Sequence, residues 1–271
     1  MIATLLAAGA MAAAPPVTEN RVPSCYAISK IGVPPPAVQR EVFVLIDQTT
    51  MLDPSLKNAV REELGRLVVP GSSFVIGSFS AFAQGQFERV VAAGRLETSV
   101  PAGDRDNLSV RALEALDRCL GRQAPYGRRI AAAALDRATA GQSDAFQHSD
   151  VISSLRDFAP RVASSTGRRK ILIVVSDMIE NSSLANFYQN RTLRGIDPGK
   201  ELRSVAAKGF LANFGGAEVY VIGGGLLSGD RDSYRDPVRL KALETFWSTY
   251  FARSNARLRG FGKPLLASPI R

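Results

Sequence analysis

The chain has 271 residues, of which 45% are hydrophobic and 22% charged, and 34 Lys and Arg against 25 Asp and Glu give a net charge of +9. This balance excludes a disordered chain, a collagen and a coiled-coil rod. No apolar run reaches the ~18 residues of a spanning helix, which excludes a multi-pass membrane protein. The charge is uneven: residues 1–119 carry 11 basic and 12 acidic side chains, residues 120–271 carry 23 and 13. A basic half can steer toward nucleic acid, anionic lipid or an acidic protein. The longest basic run is only Arg168-Arg169-Lys170, so a solvated, Arg-rich surface is the plainer reading.

Residues 1–14 are apolar and end in small residues, with A-x-A patterns at Ala10-Met11-Ala12 and Ala12-Ala13-Ala14 followed by Pro15-Pro16. They read as a secretory signal segment, although no Lys or Arg precedes them. Residues 15–40 form a Pro-rich lead-in. The two cysteines, Cys25 and Cys119, fit an exported chain with one disulfide. Two cysteines so far apart and a single His argue against zinc.

Val42-Phe43-Val44-Leu45-Ile46 is a continuous apolar run, as expected of a strand buried on both faces, and it ends in Asp47. Asp53 or Ser55 caps a predicted helix over residues 54–67, with Pro54 near its first position. After the Pro70-Gly71 turn, residues 73–79 and 87–92 read as antiparallel neighbouring strands. Helical spacing over 108–120 and 129–140 predicts two helices, divided at Gly121 and Ala124-Pro125-Tyr126-Gly127. Ser149 or Asp150 caps a further helix to about residue 164. A second apolar strand, Ile171-Leu172-Ile173-Val174-Val175, ends in Ser176-Asp177. Helix follows over 199–213, then a third buried strand, Glu218-Val219-Tyr220-Val221-Ile222.

Asp236-Pro237 opens a long helix to about residue 258, whose Leu240, Leu243, Phe246, Trp247, Tyr250 and Phe251 make a core-facing stripe. Residues 263–266 supply a last edge strand in this reading. The alternation of strands and helices predicts one α/β domain over residues 41–271: a doubly wound, mostly parallel sheet with helices on both faces and one antiparallel edge strand. Ligands of such sheets sit beyond the carboxyl ends of the strands, where strand order reverses. A ligand site is therefore expected at the loops after Ile46, Val175 and Ile222.

The first loop reads Asp47-Gln48-Thr49-Thr50-Met51 and the second Ser176-Asp177-Met178-Ile179-Glu180-Asn181-Ser182. Acidic residues with hydroxyls beside them make a hard, oxygen-rich site of the kind Mg²⁺ prefers. An apolar strand ending in Asp-x-Thr, a later strand ending in Ser-Asp and a doubly wound order resemble a von Willebrand factor type A domain of the bacterial exported type. The resemblance covers roughly residues 41–258. It implies a metal-ion-dependent adhesion site, in which a divalent ion is completed by a carboxylate from a partner protein.

Carried over position by position, Asp47 takes the first Asp of that motif, Thr49 its first hydroxyl, and Asp177 the later Asp. Ser149 is the nearest candidate for the second-loop threonine. The motif's second serine falls on Met51, a poor ligand for Mg²⁺; Thr50, Glu180 and Asn181 are candidate substitutes. The implied cofactor is Mg²⁺ or Mn²⁺. The plainer reading is that Asp47 and Asp177 only cap helices and bind loop amides.

Other chemistries fit less well. A haloacid-dehalogenase-type phosphatase needs Asp-x-Asp, and Thr49 stands where the second Asp belongs. Gly223-Gly224-Gly225 follows a late strand and is only a weak dinucleotide signal. His148, the one His, has no G-x-S-x-G elbow to serve. The triplets at Asn181 and Asn190 match glycosylation acceptors only coincidentally. Residues 188–199 are polar and turn-rich, and on this fold would border the site.

The reading is thus a non-enzymatic protein-interaction module, exported to the periplasm or cell envelope, with a protein partner that presents an acidic residue. Nucleic acid is disfavoured, and the mature chain has no transmembrane span. The rivals are a metal-assisted phosphoester hydrolase at the same strand ends and a nucleic-acid-binding protein of an envelope DNA-transfer apparatus.

Overall fold

The computed structural model describes residues 20–80, 89–140, 142–143, 149–189, 192–226 and 236–271. The expected signal segment, His148 and Asn190 lie outside these residues. The strands are β1 (Arg40–Asp47), β2 (Ser72–Phe79), β3 (Arg89–Arg95), β4 (Arg169–Val175), β5 (Tyr188–Gln189), β6 (Thr192–Leu193), β7 (Ala217–Ile222) and β8 (Ala256–Phe261). The helices are α1 (Cys25–Ile28), α2 (Pro54–Leu67), α3 (Ala102–Arg105), α4 (Val110–Thr139), α5 (Val151–Ala163), α6 (Pro198–Ala207) and α7 (Pro237–Arg253).

Six strands form one sheet in the order β3-β2-β1-β4-β7-β8. Only β3 runs antiparallel to its neighbour; the other pairs are parallel. The sheet is therefore mostly parallel with one antiparallel edge, as the resemblance to a von Willebrand factor A domain implies. Strands β5 and β6 form a separate antiparallel pair within the polar residues 188–199.

The period-2 alternation of strand side chains sorts the helices into two layers. Phe43, Leu45, Leu172, Val174, Val219 and Val221 point to one face, where α5, α6 and α7 cover them. Val42, Val44, Ile46, Ile171, Ile173 and Val175 point to the other, under α2 and the second half of α4. Burial on both faces explains why β1 and β4 read as unbroken apolar runs. The aromatic stripe of α7 is a core face as expected: Phe246, Trp247, Tyr250 and Phe251 are all fully buried.

The capping expectations hold for two helices. Asp53 Oδ1 accepts from Leu56 N at 2.8 Å, with Pro54 as the first helical residue, and Asp236 Oδ1 accepts from Val238 N at 2.9 Å and Arg239 N at 3.1 Å.

Four expectations are corrected. The two helices predicted over 108–140 are one, α4. Leu116, Gln123, Gly127, Ala131, Ala134 and Ala138 keep one buried face in phase throughout, while Pro125 stands on the exposed face, where the carbonyl it leaves unpaired can reach water. The predicted 199–213 helix stops at Ala207, because Gly209 takes φ +75° and turns the chain. Helix α7 ends at Arg253, and Asn255 adopts φ 53°, releasing Ala256–Phe261 as a parallel strand against β7. Residues 263–266 then form no strand.

The Pro-rich lead-in is tied to the body. Glu97 accepts hydrogen bonds from Ser24 Oγ (2.7 Å), Cys25 N (2.7 Å) and Gln123 Nε2 (3.2 Å), so one buried carboxylate caps α1 and anchors it to β3 and α4. Cys25 and Cys119 form a disulfide, as expected. Among the described residues, no helix is long and apolar enough to cross a membrane.

Gly94 marks the closest approach in this region: a β-carbon there would sit 2.5 Å from the Phe74 ring and 2.7 Å from Val22 Cγ2. Both neighbours are buried, so neither has room to yield. Gly94→Ala is expected to destabilise the chain by about 1–3 kcal/mol, read as a lower urea midpoint with unchanged slope; an unchanged midpoint would show that Phe74 can repack.

Candidate functional site

Strand order reverses between β1 and β4: from β1 the chain moves outward through β2 to β3, and from β4 through β7 to β8 on the other side. Both strands deliver acidic residues to this crevice, Asp47 at the end of β1 and Asp177 just past β4.

Asp47 is fully buried and accepts four hydrogen bonds. Its Oδ1 receives Thr49 N at 2.8 Å and Thr49 Oγ1 at 2.6 Å. Its Oδ2 receives Ser176 Oγ at 2.7 Å and Ser149 Oγ at 3.4 Å. Thr49 and Ser149, 100 residues apart in sequence, touch hydroxyl to hydroxyl at 3.1 Å. Thr50 is also buried, and its hydroxyl stands beside both carboxylates and accepts from Asp177 N at 3.2 Å.

The structure thus brings together Asp47, Thr49, Thr50, Ser149 and Asp177. Glu180 lies behind them. Its Oε2 accepts from Ile152 N at 2.8 Å and its Oε1 from Ser182 Oγ, which places it at the amino end of α5. Asn181 pairs with Ser149 through the backbone, with N–H to carbonyl bonds of 3.2 and 3.0 Å, and so sets where Ser149 stands. Met51 is 47% exposed at the mouth of the first loop.

The loops are held by groups that sequence reading did not single out. Gln142 Nε2 donates to Asp47 O at 3.1 Å and its Oε1 accepts from Leu52 N at 3.3 Å, bracing the first loop from both sides. Met178, buried, adopts φ 61°, an uncommon conformation for a non-glycine residue. Trp247 Nε1 donates to Met178 O at 2.8 Å, and Gly225 N to Asp177 O at 2.8 Å, fixing that turn. Gly223 has φ +99° and a β-carbon there would meet Ser176 O at 3.1 Å, so the glycine loop serves close packing beside the site. Ser176 was visible only as the residue before Asp177; Gln142 and Trp247 carried no signal beyond composition and periodicity.

Burial raises the Asp47 carboxyl above its ordinary range, although the hydrogen bonds from Thr49 and Ser176 oppose the shift. Asp177 is raised further, by burial and then by repulsion from Asp47. Among the described residues, neither carboxylate has a basic partner. Two close carboxylates without a basic partner, Asp47 buried and Asp177 partly buried, are costly as anions, and a bound cation would remove that cost. The donors are two carboxylates and several hydroxyls, with no cluster of three or more His, Cys, Asp or Glu among the described residues. That set fits a hard ion that keeps part of its water shell, and not zinc.

Burial pushes Glu180 up to about 8 from the ordinary 4.5. The folded chain therefore holds a proton there that the unfolded chain releases. The stabilisation is complete below the unfolded value and is lost as pH rises through the folded one. In metal-free protein, Glu180→Gln is expected to remove this loss. The variant should match the native chain near about pH 5 and exceed it by about 1–3 kcal/mol near pH 8. Parallel pH dependence of the two unfolding free energies would refute the assignment.

No family model matches the chain, and no curated protein sequence matches it. Among solved structures, it is similar to an aerotolerance-related membrane protein from Bacteroides fragilis, determined with multiple mutations to serines. That match has 15% identity, a TM-score of 0.37, and covers 83% of this chain and 92% of the other. The fold assignment rests on the chain's own strand order and helix layering.

Proposed function

We propose that the chain is an exported protein-interaction module of the cell envelope, binding a partner's carboxylate through a divalent ion at the β1–β4 crevice. The observation that carries this reading is the convergence of Asp47, Thr49, Thr50, Ser149 and Asp177 at the strand-order reversal, with two carboxylates and, among the described residues, no basic side chain paired with them. Asp47 and Asp177 supply charge, and Thr49, Thr50 and Ser149 supply neutral oxygens. The ion would supply a Lewis-acidic centre for the partner's carboxylate. Ser176 and Gln142 position the first loop, and Trp247 positions the second. Export is supported by the apolar segment at residues 1–14 and by the Cys25–Cys119 bridge, which persists in oxidising compartments.

Calorimetric titration of Mg²⁺ and Mn²⁺ into the chain and into Asp47→Ala tests the reading. Binding to the native chain that disappears in the variant, with cooperative melting retained, is the expected result. Equal heats in both proteins would remove the ion from the site.

A further inference from the structure

A second surface lies away from the crevice. A cavity of about 560 Å³ opens between α1 and the middle of α4, with the Cys25–Cys119 disulfide, Ile28 and Tyr126 in its wall and Arg118, Arg122 and Arg129 around it. That volume suits two or three inserted side chains, within the ordinary range for binding pockets. The carboxyl end of α4 reaches the first loop, where Gln48 Nε2 donates to Ala138 O at 3.4 Å. At 1.5 Å per residue, the cavity is therefore some ~15–30 Å down the helix from the crevice.

Its chemistry is two-part. Ile28 is 61% exposed and Tyr126 37%, although both are large and apolar or aromatic. Positions 118, 122, 126 and 129 recur at helical spacing, so their side chains line one solvent-facing strip. Among the described residues, no carboxylate lines the cavity. Arg118 has a loose, exposed contact with Glu114 at 3.7 Å. Arg122 only reaches the Arg118 carbonyl, at 3.4 Å, and Arg129 lies over the Tyr126 ring, 5.8 Å from its centre. Among the described residues, Arg122 and Arg129 have no carboxylate partner. The nearby acid Asp117 faces Arg105 instead.

We propose that this cavity docks an acidic peptide segment of a partner protein, one that inserts a large apolar side chain beside Ile28 and Tyr126 and sets carboxylates against Arg118, Arg122 and Arg129. Charge complementarity decides the occupant: guanidinium groups pair with carboxylates in a fork geometry, and exposed apolar groups ringed by arginine match the usual composition of interface anchors. The surface is independent of the metal crevice and does not depend on it.

The test is a display selection of random dodecapeptides on the full chain, with the enriched peptides synthesised and measured by fluorescence anisotropy. Enrichment of Asp and Glu beside Leu, Phe or Trp is expected. Affinity should fall about tenfold or more in Arg118→Glu/Arg122→Glu/Arg129→Glu, fall with added salt, and stay unchanged in Asp47→Ala. The three arginines are exposed, so the melting temperature should hold. Should the reversal fail to fold, Arg122→Gln/Arg129→Gln is expected to weaken binding about threefold.

Peptides without acidic residues, peptides that bind the triple variant equally, or loss of binding in Asp47→Ala would each overturn the proposal. So would an Arg-dependent dimer in sedimentation, which would make a second copy the occupant. Arg-dependent binding to phosphatidylglycerol vesicles without any selected peptide would assign the surface to a membrane instead.

Discussion

Replacing both Cys25 and Cys119 by Ser is expected to lower the stability of the chain by about 2–5 kcal/mol. The bridge joins residues 94 positions apart, so it removes much of the freedom of the unfolded chain; the chain-entropy argument puts the upper end near ~5 kcal/mol. Two features pull the effect below that ceiling. Glu97 holds Ser24, Cys25 and Gln123 whether or not the bridge exists, so α1 keeps a local anchor. Cys25 and Tyr26 are buried beside Leu116 and Val100, so apolar contacts also persist.

The measurement is urea unfolding of the oxidised chain and the double-serine variant, with the reduced native chain as a third sample. Equal stability in all three would mean that the unfolded chain is already compact around these positions. Mg²⁺ or Mn²⁺ affinity should be the same in both proteins, because the bridge sits at the α1 end of α4 and the crevice at its other end. The same bridge ties stability to compartment: a chain held in a reducing cytosol would lose this contribution.

How far the sequence predicts the molecule depends on which forces act locally. Strands β1 and β4 were legible because two-sided burial writes an unbroken apolar run, and β7 through its shorter run Val219–Ile222. Helices α2 and α7 were legible because a side-chain cap and a proline at the first position are local events. Helix α4 was not, since Pro125 reads as a breaker until the buried face from Leu116 to Ala138 is seen to continue past it. Strand β8 was not, since its burial depends on pairing with β7.

The site divides in the same way. Asp47, Thr49 and Asp177 stood at strand ends whose meeting followed from the doubly wound order. The meeting of Ser149 with Thr49 follows from the backbone pairing of Ser149 with Asn181, a tertiary contact with no local signature. Gln142 braces Asp47 across 95 positions, and nothing in the sequence around it distinguishes it from a surface glutamine.

Met51→Ser is expected to raise the affinity for Mg²⁺ and Mn²⁺ by about tenfold or more, by adding an oxygen where a thioether now stands. Met51 is 47% exposed and takes no part in the hydrogen bonds of the crevice, so its replacement should leave the fold intact. The resemblance to a metal-ion-dependent adhesion site assigns a serine to this position, and Thr50, whose buried hydroxyl accepts from Asp177 N beside both carboxylates, is the group that stands nearest to compensating for its loss. Thr50→Val in the native chain should therefore weaken binding strongly, and Thr50→Val with Met51→Ser should recover part of it.

Calorimetry on the four proteins forms a double-mutant cycle that measures this exchange directly. Strict additivity would show that positions 50 and 51 act independently, and no gain from Met51→Ser would show that the loop carries position 51 away from the ion. The pH dependence supplies a further check on the same site. Because Asp47 and Asp177 are both raised above the ordinary carboxylate range, the divalent ion of the proposed reading would compete with protons for them. Affinity should thus increase with pH above the usual carboxylate values, with protons released on binding, and the release should shrink in Asp177→Asn.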